Sequence, residues 1–329
     1  MGSLGVNTVV SFTSYTARFL RGIWLFRQLQ RRRLLVLCYH GVVEHPQADL
    51  AGRFRHSIGV AELRRQLLRL KKYYNPVSIH DVQAAITKQQ PLPPFPVLVT
   101  FDDGYRNNLQ LAVPELERAG VPALFAVTTG HIGKTELLWP QELFERIMIW
   151  PSDRLPLPSS SDSVVLPKSE KERVTIAHHV RMKCKSVPDP DRQQYLELLR
   201  DIGPLNIDPK YLPVYSFLNW DEVREIARRG FAIASHTVSH PILSRLDLVS
   251  LKNELILSKG DIEVNLQLPC DWICYPNGEK DDISQFIFDC AKDAGYRVGF
   301  TTIAKLNSIH ESPLSLGRFG PERFRFLQN

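Results

Sequence analysis

Six short apolar runs, each bounded by polar or turn-forming residues, constrain this chain more tightly than any other feature. They are Leu34–Tyr39 (LLVLCY), Val97–Phe101 (VLVTF), Ala123–Thr129 (ALFAVTT), Phe231–Ser235 (FAIAS), Trp272–Tyr275 (WICY) and Tyr296–Thr302 (YRVGFTT). A strand with one wet face alternates apolar and polar residues. A continuous run reads instead as a strand covered on both faces, the habit of parallel sheets. Stretches with helical spacing separate these runs. Val60–Tyr73 places Leu63, Leu67 and Leu70 on one face, and Leu109–Ala119 closes on Gly120. Trp220–Arg229 starts from Asn219 as N-cap and ends at Gly230, Leu246–Leu266 is long, and Ile283–Ala294 ends at Gly295. Glycine past a helix end accepts the left-handed conformation that stops the helix. Strand–helix alternation implies a parallel sheet. Six or seven strands around one core predict a distorted (β/α)7-like barrel. No glycine-rich phosphate loop follows the first strand, which weighs against a dinucleotide-binding sheet.

The rhythm breaks over residues 140–215, which are rich in Pro, Ser and charge, with helical patches around Lys171–Cys184 and Arg192–Asp201. This stretch reads as a mostly helical insertion that forms a lid or side wall. The division expected is a basic lead-in over 1–30, then one domain over 31–329 carrying the insertion at 140–215. A chain of 329 residues is long enough for that plan. The net charge of +6 is weighted toward Arg18, Arg21, Arg27, Arg31, Arg32 and Arg33. No nucleic-acid motif accompanies it, so the expected partners exclude nucleic acid. The lead-in reads as a solvated basic helix, with peripheral contact to an anionic membrane surface as the alternative. The five cysteines (Cys38, Cys184, Cys270, Cys274, Cys290) are odd in number and form no CxxC pair, which suits a reducing compartment. No secretory signal is evident, and no apolar run approaches the roughly 18 residues that span a bilayer. A cytoplasmic location is the expectation.

The chemistry is concentrated where the apolar runs end. In barrels the active site forms at the C-terminal ends of the strands. His40 directly follows LLVLCY, Asp102 and Asp103 follow VLVTF, His236 follows FAIAS, and Pro276-Asn277-Gly278 follows WICY. Taken singly, Asp-Asp-Gly and Tyr-Pro-Asn-Gly are turn sequences, and His40 alone reads as a packed strand-end residue. His236 and His240 have metal-ligand spacing, but in a chain with ten histidines such a pair arises readily by chance. Together they supply one carboxylate and two imidazoles, a facial set that binds a divalent ion and leaves positions open. Two adjacent aspartates cannot easily both face one ion, so one is free to take a proton.

These residues resemble a known family. Thr100-Phe101-Asp102-Asp103-Gly104-Tyr105 resembles the first motif of the polysaccharide deacetylases, the NodB-homology or family 4 carbohydrate esterases. Ser235-His236-Thr237-Val238-Ser239-His240-Pro241 resembles the second. The resemblance runs from about Leu35 to Thr302, outside much of 140–215. It implies a metal-dependent hydrolase that removes acetyl groups, N-acetyl foremost, from a carbohydrate or lipid-linked sugar. By motif match, Asp103, His236 and His240 hold the ion, commonly zinc, and Asp102 is the general base. Tyr105 reaches the substrate, and a backbone N–H near Tyr275–Asn277 stabilises the oxyanion. Two departures stand out. The family places an Arg ahead of Pro-Tyr-Gly in its third motif, whereas here the stretch is Cys274-Tyr275-Pro276-Asn277-Gly278; Arg318 is the candidate substitute that orients the base. The usual late Leu-x-His acid is also missing. Tyr39-His40-Gly41-Val42 resembles the N-terminal Tyr-His of the exopolysaccharide (poly-N-acetylglucosamine) branch, so His40 is assigned as the acid, ahead of His310.

Further expectations are less anchored. Arg106 and Asn107 follow the Asp pair and are candidates for substrate contact; Trp139 and Trp220 are candidates for stacking on sugar rings, with a core role favoured for Trp220. His131 and Lys134 lie after the third strand, and Tyr73, Phe95 and Phe125 read as core. Two alternatives accompany the hydrolase: a catalytically inactive carbohydrate-binding homologue, for which the missing third-motif Arg speaks, and a deformylase acting on a lipid-linked amino sugar.

Overall fold

The structure is a computed structural model that describes residues 31–44, 57–88 and 90–324. The basic lead-in over 1–30, with its proposed membrane contact, lies outside the described residues. The strands are β1 (Leu35–Tyr39), β2 (Val42–Val43), β3 (Ile58–Gly59), β4 (Asn75–Pro76), β5 (Pro96–Phe101), β6 (Ala123–Val127), β7 (Arg154–Pro156), β8 (Ser163–Val165), β9 (Ala232–Ser235), β10 (Trp272–Cys274) and β11 (Val298–Phe300). All six apolar runs contain strands of one parallel sheet, ordered β1-β5-β6-β9-β10-β11, with β4 paired to the start of β5.

The runs lack alternation because both sheet faces are covered. On one face of the sheet, Leu35, Leu37, Tyr39, Val97, Val99 and Phe101 pack with helix residues such as Leu63, Leu67 and Leu116. The alternate set, Leu34, Val36, Leu98, Leu124, Trp272, Val298 and Phe300, forms a second core layer. The sheet curls until its two ends nearly meet. Leu316 bridges in parallel to Phe300 of β11, and Phe319 bridges in parallel to Leu37 of β1. The segment Leu316–Phe319 therefore lies between the last and first strands and completes a distorted barrel, as the alternation predicted.

The flanking helices are α1 (Val60–Tyr73), α2 (Ile79–Lys88), α3 (Val113–Ala119), α4 (Trp139–Met148), α5 (Glu170–Ser186), α6 (Asp189–Arg200), α7 (Trp220–Arg228), α8 (Leu248–Leu266) and α9 (Gln285–Asp293). Capping explains several boundaries. Asn219 and Glu222 form a reciprocal capping box at the start of α7, and Gly120 terminates α3 at φ 62°. The stretch Leu109–Ala119 is not one regular helix. It opens as a π-turn over Asn108–Ala112, next to Pro114, which has no N–H for a regular helical bond. Helix α2 was absent from the sequence reading. Its signals were Ser78, whose hydroxyl accepts the Asp81 N–H, and the buried Ile79, Val82 and Ala85. Tyr73 was expected in the core. It is 42% exposed, because the last turn of α1 leaves it on the outer side beside Lys72.

Helices α4, α5 and α6 with the antiparallel β7–β8 hairpin build a side wall with its own core of Leu143, Ile147, Val180, Cys184, Tyr195 and Leu199. Ile242, from the loop after β9, joins that core and ties the wall to the barrel. All five cysteines are free and buried. Among the described residues, no helix is long and apolar enough to cross a membrane.

Candidate active site

The chain leaves β5 at Phe101 and turns sharply: Asp103 and Gly104 both take positive φ, at 77° and 83°. This turn sends the two adjacent carboxylates to different neighbours. Asp102 meets the guanidinium of Arg318, whose Nη1 and Nη2 donate to Oδ1 and Oδ2 at 2.7 Å each. Arg318 also donates from Nε to Thr301 O at 3.0 Å and from Nη1 to Thr100 Oγ1 at 3.1 Å. The Cys38 thiol lies 3.4 Å from Asp102 Oδ2. Both charged residues are 1% exposed. Burial alone would raise the Asp102 carboxyl, but the Arg318 charge beside it outweighs burial and, with His236 and His40, holds it well below the usual carboxylate range. Arg318 comes from the closing segment between β11 and β1, and its guanidinium brings to the carboxylate the positive charge that Cys274 lacks.

Asp103 faces the two imidazoles. Its Oδ1 lies 3.3 Å from His236 Nε2 and 3.5 Å from His240 Nε2, and one ligand atom from each of the three residues falls within 4.8 Å of the others. His236 Nδ1 lies 2.7 Å from Cys274 O. A carbonyl only accepts, so Nδ1 carries a proton and Nε2 is the atom turned to Asp103. Asp103 Oδ1 is buried without a hydrogen-bond partner. Burial pushes the His240 imidazolium down to about 3, only partly offset by Asp103, which favours the neutral ring. A buried carboxylate oxygen without a hydrogen-bond partner, facing the Nε2 atoms of two imidazoles, is the donor set a divalent cation fits.

The loop carrying the histidines is strained and firmly held. Thr237 and His240 have φ of 65° and 59°. The Glu254 carboxylate accepts from Val238 N at 2.7 Å, Ser239 N at 3.0 Å and Ser239 Oγ at 2.6 Å. Trp139 Nε1 donates to His240 O at 3.1 Å. Gly130 N donates to Val238 O, and a Cβ at Gly130 would meet that oxygen at 2.5 Å, so the close approach requires glycine.

His40, Asp102, Asp103, Tyr105, His236, His240 and Asn277 line one cavity of about 280 Å³. His40 also stands near enough to Cys38 and Asp102 for ligand atoms of all three to lie within 4.8 Å; His310 lies exposed on a turn away from the cavity. The Tyr105 hydroxyl accepts a hydrogen bond from Gln141 Nε2 of α4, and its ring stacks on Phe217 at 5.4 Å. Asn277 has φ of 59°, and among the described residues its N–H has no acceptor.

Several expectations are corrected. Tyr275 is not an oxyanion or substrate residue: its N–H donates to Phe300 O in the sheet at 2.9 Å, and its ring is buried against Phe288. Pro276 has no N–H, which narrows the donor to Asn277. Trp139 does not face sugar; it is buried in the side wall, with Arg192 over its ring at 4.8 Å. Asn107 is buried and accepts the Val42 N–H, Arg106 pairs with Glu222, and His131 bonds to Glu136 O, so none of these reaches the cavity. Lys134 is exposed, and Trp220 packs against the main core. The sequence reading missed the far wall of the cavity, where Gln141 and Phe144 of α4 and His178, Arg181 and Lys185 of α5 face the site. Lys185 crosses to the loop after β10, 2.6 Å from Glu279 and 3.0 Å from Asp282.

Several solved structures are similar to this chain in fold. A deacetylase, PplD, from Streptococcus pyogenes, solved with acetate, aligns with a TM-score of 0.59 at 17% identity, over 91% of this chain and 99% of its own. IcaB from Ammonifex degensii aligns with a TM-score of 0.57 at 18% identity, over 90% of this chain and 95% of its own. A de-N-acetylase from Aggregatibacter actinomycetemcomitans aligns at 0.54 and 20% identity, over 87% and 94%. At these identities the likeness speaks for the fold. Comparison with curated protein sequences returns no match. The family model described as polysaccharide deacetylase matches residues 89–299, which include both Asp residues and both histidines but neither His40 nor Arg318. On that match, the chain belongs to the polysaccharide deacetylase family and is a carbohydrate deacetylase.

Proposed function

We propose that the chain is a metal-dependent hydrolase that removes N-acetyl groups from a carbohydrate, using a divalent ion held by Asp103, His236 and His240. The observation that carries this reading is the meeting, in one cavity, of a buried three-ligand cluster with a carboxylate gripped by a guanidinium. Two imidazoles and one carboxylate suit zinc. When bound, the ion supplies Lewis-acid polarisation of the acyl carbonyl and acidifies water.

The remaining steps fall to this chain's own groups. Asp102, oriented by Arg318, accepts the proton of the attacking water. The Asn277 N–H donates to the carbonyl oxygen as its charge grows. His40 protonates the departing amine. Tyr105, fixed by Gln141, borders the acyl position. A pure binding protein has no use for a held base beside a three-ligand centre. This reading takes residues 31–329 as one catalytic unit, with 140–215 as its side wall. It places the enzyme in the cytoplasm, a compartment that suits five buried free thiols.

The test is acetate release from a panel of N-acetylated glycans by zinc-loaded protein, with and without a chelator, beside Asp102→Asn. We expect release that stops with chelation, returns with zinc, and falls by about 10³-fold in Asp102→Asn. Chelator-insensitive release would overturn the metal assignment, and no release from any panel member would overturn the deacetylation itself.

A further inference from the structure

Arg318 reaches Asp102 from a segment wedged between β11 and β1, so the orientation of the proposed base depends on how that segment is held. The holding residue is Asn307, which is fully buried. Its backbone pairs with Leu34 in both directions at 2.9 Å. Its side chain then grips the residue just before Arg318: Gly317 N donates to Asn307 Oδ1 at 2.7 Å, and Asn307 Nδ2 donates to Gly317 O at 2.9 Å. The opposite side of Gly317 is closed, since a Cβ there would meet Ile303 O at 2.3 Å and Lys305 Cγ at 2.4 Å. Beyond it, Arg318 N donates to Ile303 O at 3.0 Å and Phe319 N to Val36 O at 2.9 Å. Asn307 is not part of the cavity lining.

We propose that Asn307 is a positioning residue for the deacetylation reaction: by clamping Gly317 against the start of β1, it fixes the backbone of Arg318 and, through the guanidinium, the carboxylate of Asp102. The proposal rests on the function proposed above. The guanidinium engages four acceptors, Asp102 Oδ1 and Oδ2, Thr100 Oγ1 and Thr301 O. This leaves little slack for a shift of its backbone. A displacement of about 1 Å at a reacting group can cost on the order of 10² in rate.

Two measurements on the full chain test this. The first is a double-mutant cycle on kcat with zinc-loaded protein. Asn307→Ala should lower kcat about tenfold with KM within about twofold and zinc content unchanged, and should cost nothing more in an Arg318→Ala background, because residues acting through one another are not additive. The second is hydrogen exchange at the Arg318 side-chain Nε–H by NMR, which should speed up in Asn307→Ala and needs no substrate. If Asn307→Ala does not fold, Asn307→Asp, which keeps the acceptor for Gly317 N–H and loses the donor, takes its place with a smaller loss of the same kind. Losses that multiply in the double variant, or unchanged Nε–H exchange, would overturn the proposal. If the wild-type protein releases no acetate, the proposed function has failed, and the exchange measurement alone decides whether Asn307 positions Arg318.

Discussion

The Asp102–Arg318 pair carries the sharpest chemical consequence of any two residues in this chain. Both are buried, and both ends of the fork are used. Removing one partner of such a pair leaves an uncompensated buried charge, at a cost of about 3–5 kcal/mol. Arg318→Ala should therefore lower thermal stability by that amount and also reduce kcat by roughly 10²-fold, as the loss of a preorganised charged contact does. Arg318→Lys should rescue little of either, because an ammonium cannot form two parallel bonds to one carboxylate. Calorimetry beside acetate release checks both, and an Arg318→Lys enzyme with full turnover would show that charge alone suffices. Position 318 stood out in the sequence only through the family resemblance, which leads one to expect an Arg where Cys274 stands and so turns attention to Arg318 in the late chain. Nothing in the spacing showed that this segment closes the barrel. Tyr275 shows the reverse limit, since the same letters serve a rim turn or a sheet ladder and only pairing with Phe300 decides between them.

At the scale of elements, two contacts make separable predictions. Helices α1 and α3 are joined by Arg64, which donates to both oxygens of Glu115 at 2.9 and 2.8 Å. That bonding, with Arg118, outweighs burial and pushes the Glu115 carboxyl down to about 2. A depressed carboxyl stabilises the folded chain above its unfolded pKa, near 4.3, and the contribution is lost as pH falls toward 2. The melting-temperature gap between wild type and Glu115→Gln should accordingly be constant from pH 7 to about 5 and shrink below it; a gap that widens in acid would reverse the sign. The second contact is Glu254 of α8, which bonds two amides and a hydroxyl of the loop between His236 and His240. Glu254→Gln keeps the size but turns one acceptor into a donor facing amides. Zinc affinity should drop about 10- to 100-fold, as for other groups that orient metal ligands. Titration calorimetry with zinc reads this directly, and wild-type affinity would show that the strained loop holds itself. Elements were the most legible level of the sequence, for a physical reason: strands buried on both faces must be continuously apolar, and helix ends carry their caps. Helix α2 escaped because, unlike α7 and α9 of similar length, it ends with no glycine to mark its stop and runs toward a proline-rich stretch.

For the molecule as a whole, the least legible feature is the one that encloses the site. One side of α5 supplies Val180 and Cys184 to the side wall's own core, while His178, Arg181 and Lys185 line the cavity. In the sequence these look like ordinary charged helix positions, because a polar cavity and bulk water select the same residue types. Beside the Ile242 and Trp139 contacts, the wall meets the barrel through Lys185, which is 10% exposed in its side chain and sits between Glu279 and the buried Asp282. Lys185→Met removes the cation that pairs with Asp282 across that seam. Asp282 then stays buried beside Glu279 without a cation, so stability should fall by about 3 kcal/mol. The wall should also part from the loop that carries Asn277 and Glu279. Substrate binding depends on both sides of the cavity, whereas Asp102 and Arg318 are held by the barrel, and the wall contact to a ligand histidine, Trp139 Nε1 to His240 O, does not involve Lys185. We therefore expect KM to rise several-fold while kcat stays within about twofold, the pattern of lost uniform binding. Adding Asp282→Leu should recover stability, since an apolar pair of similar volume removes the stranded charge, but should not restore KM. Steady-state kinetics on the two variants separates the roles: a fall in kcat at unchanged KM would mean that the side wall shapes the reacting groups and not only the space the sugar occupies.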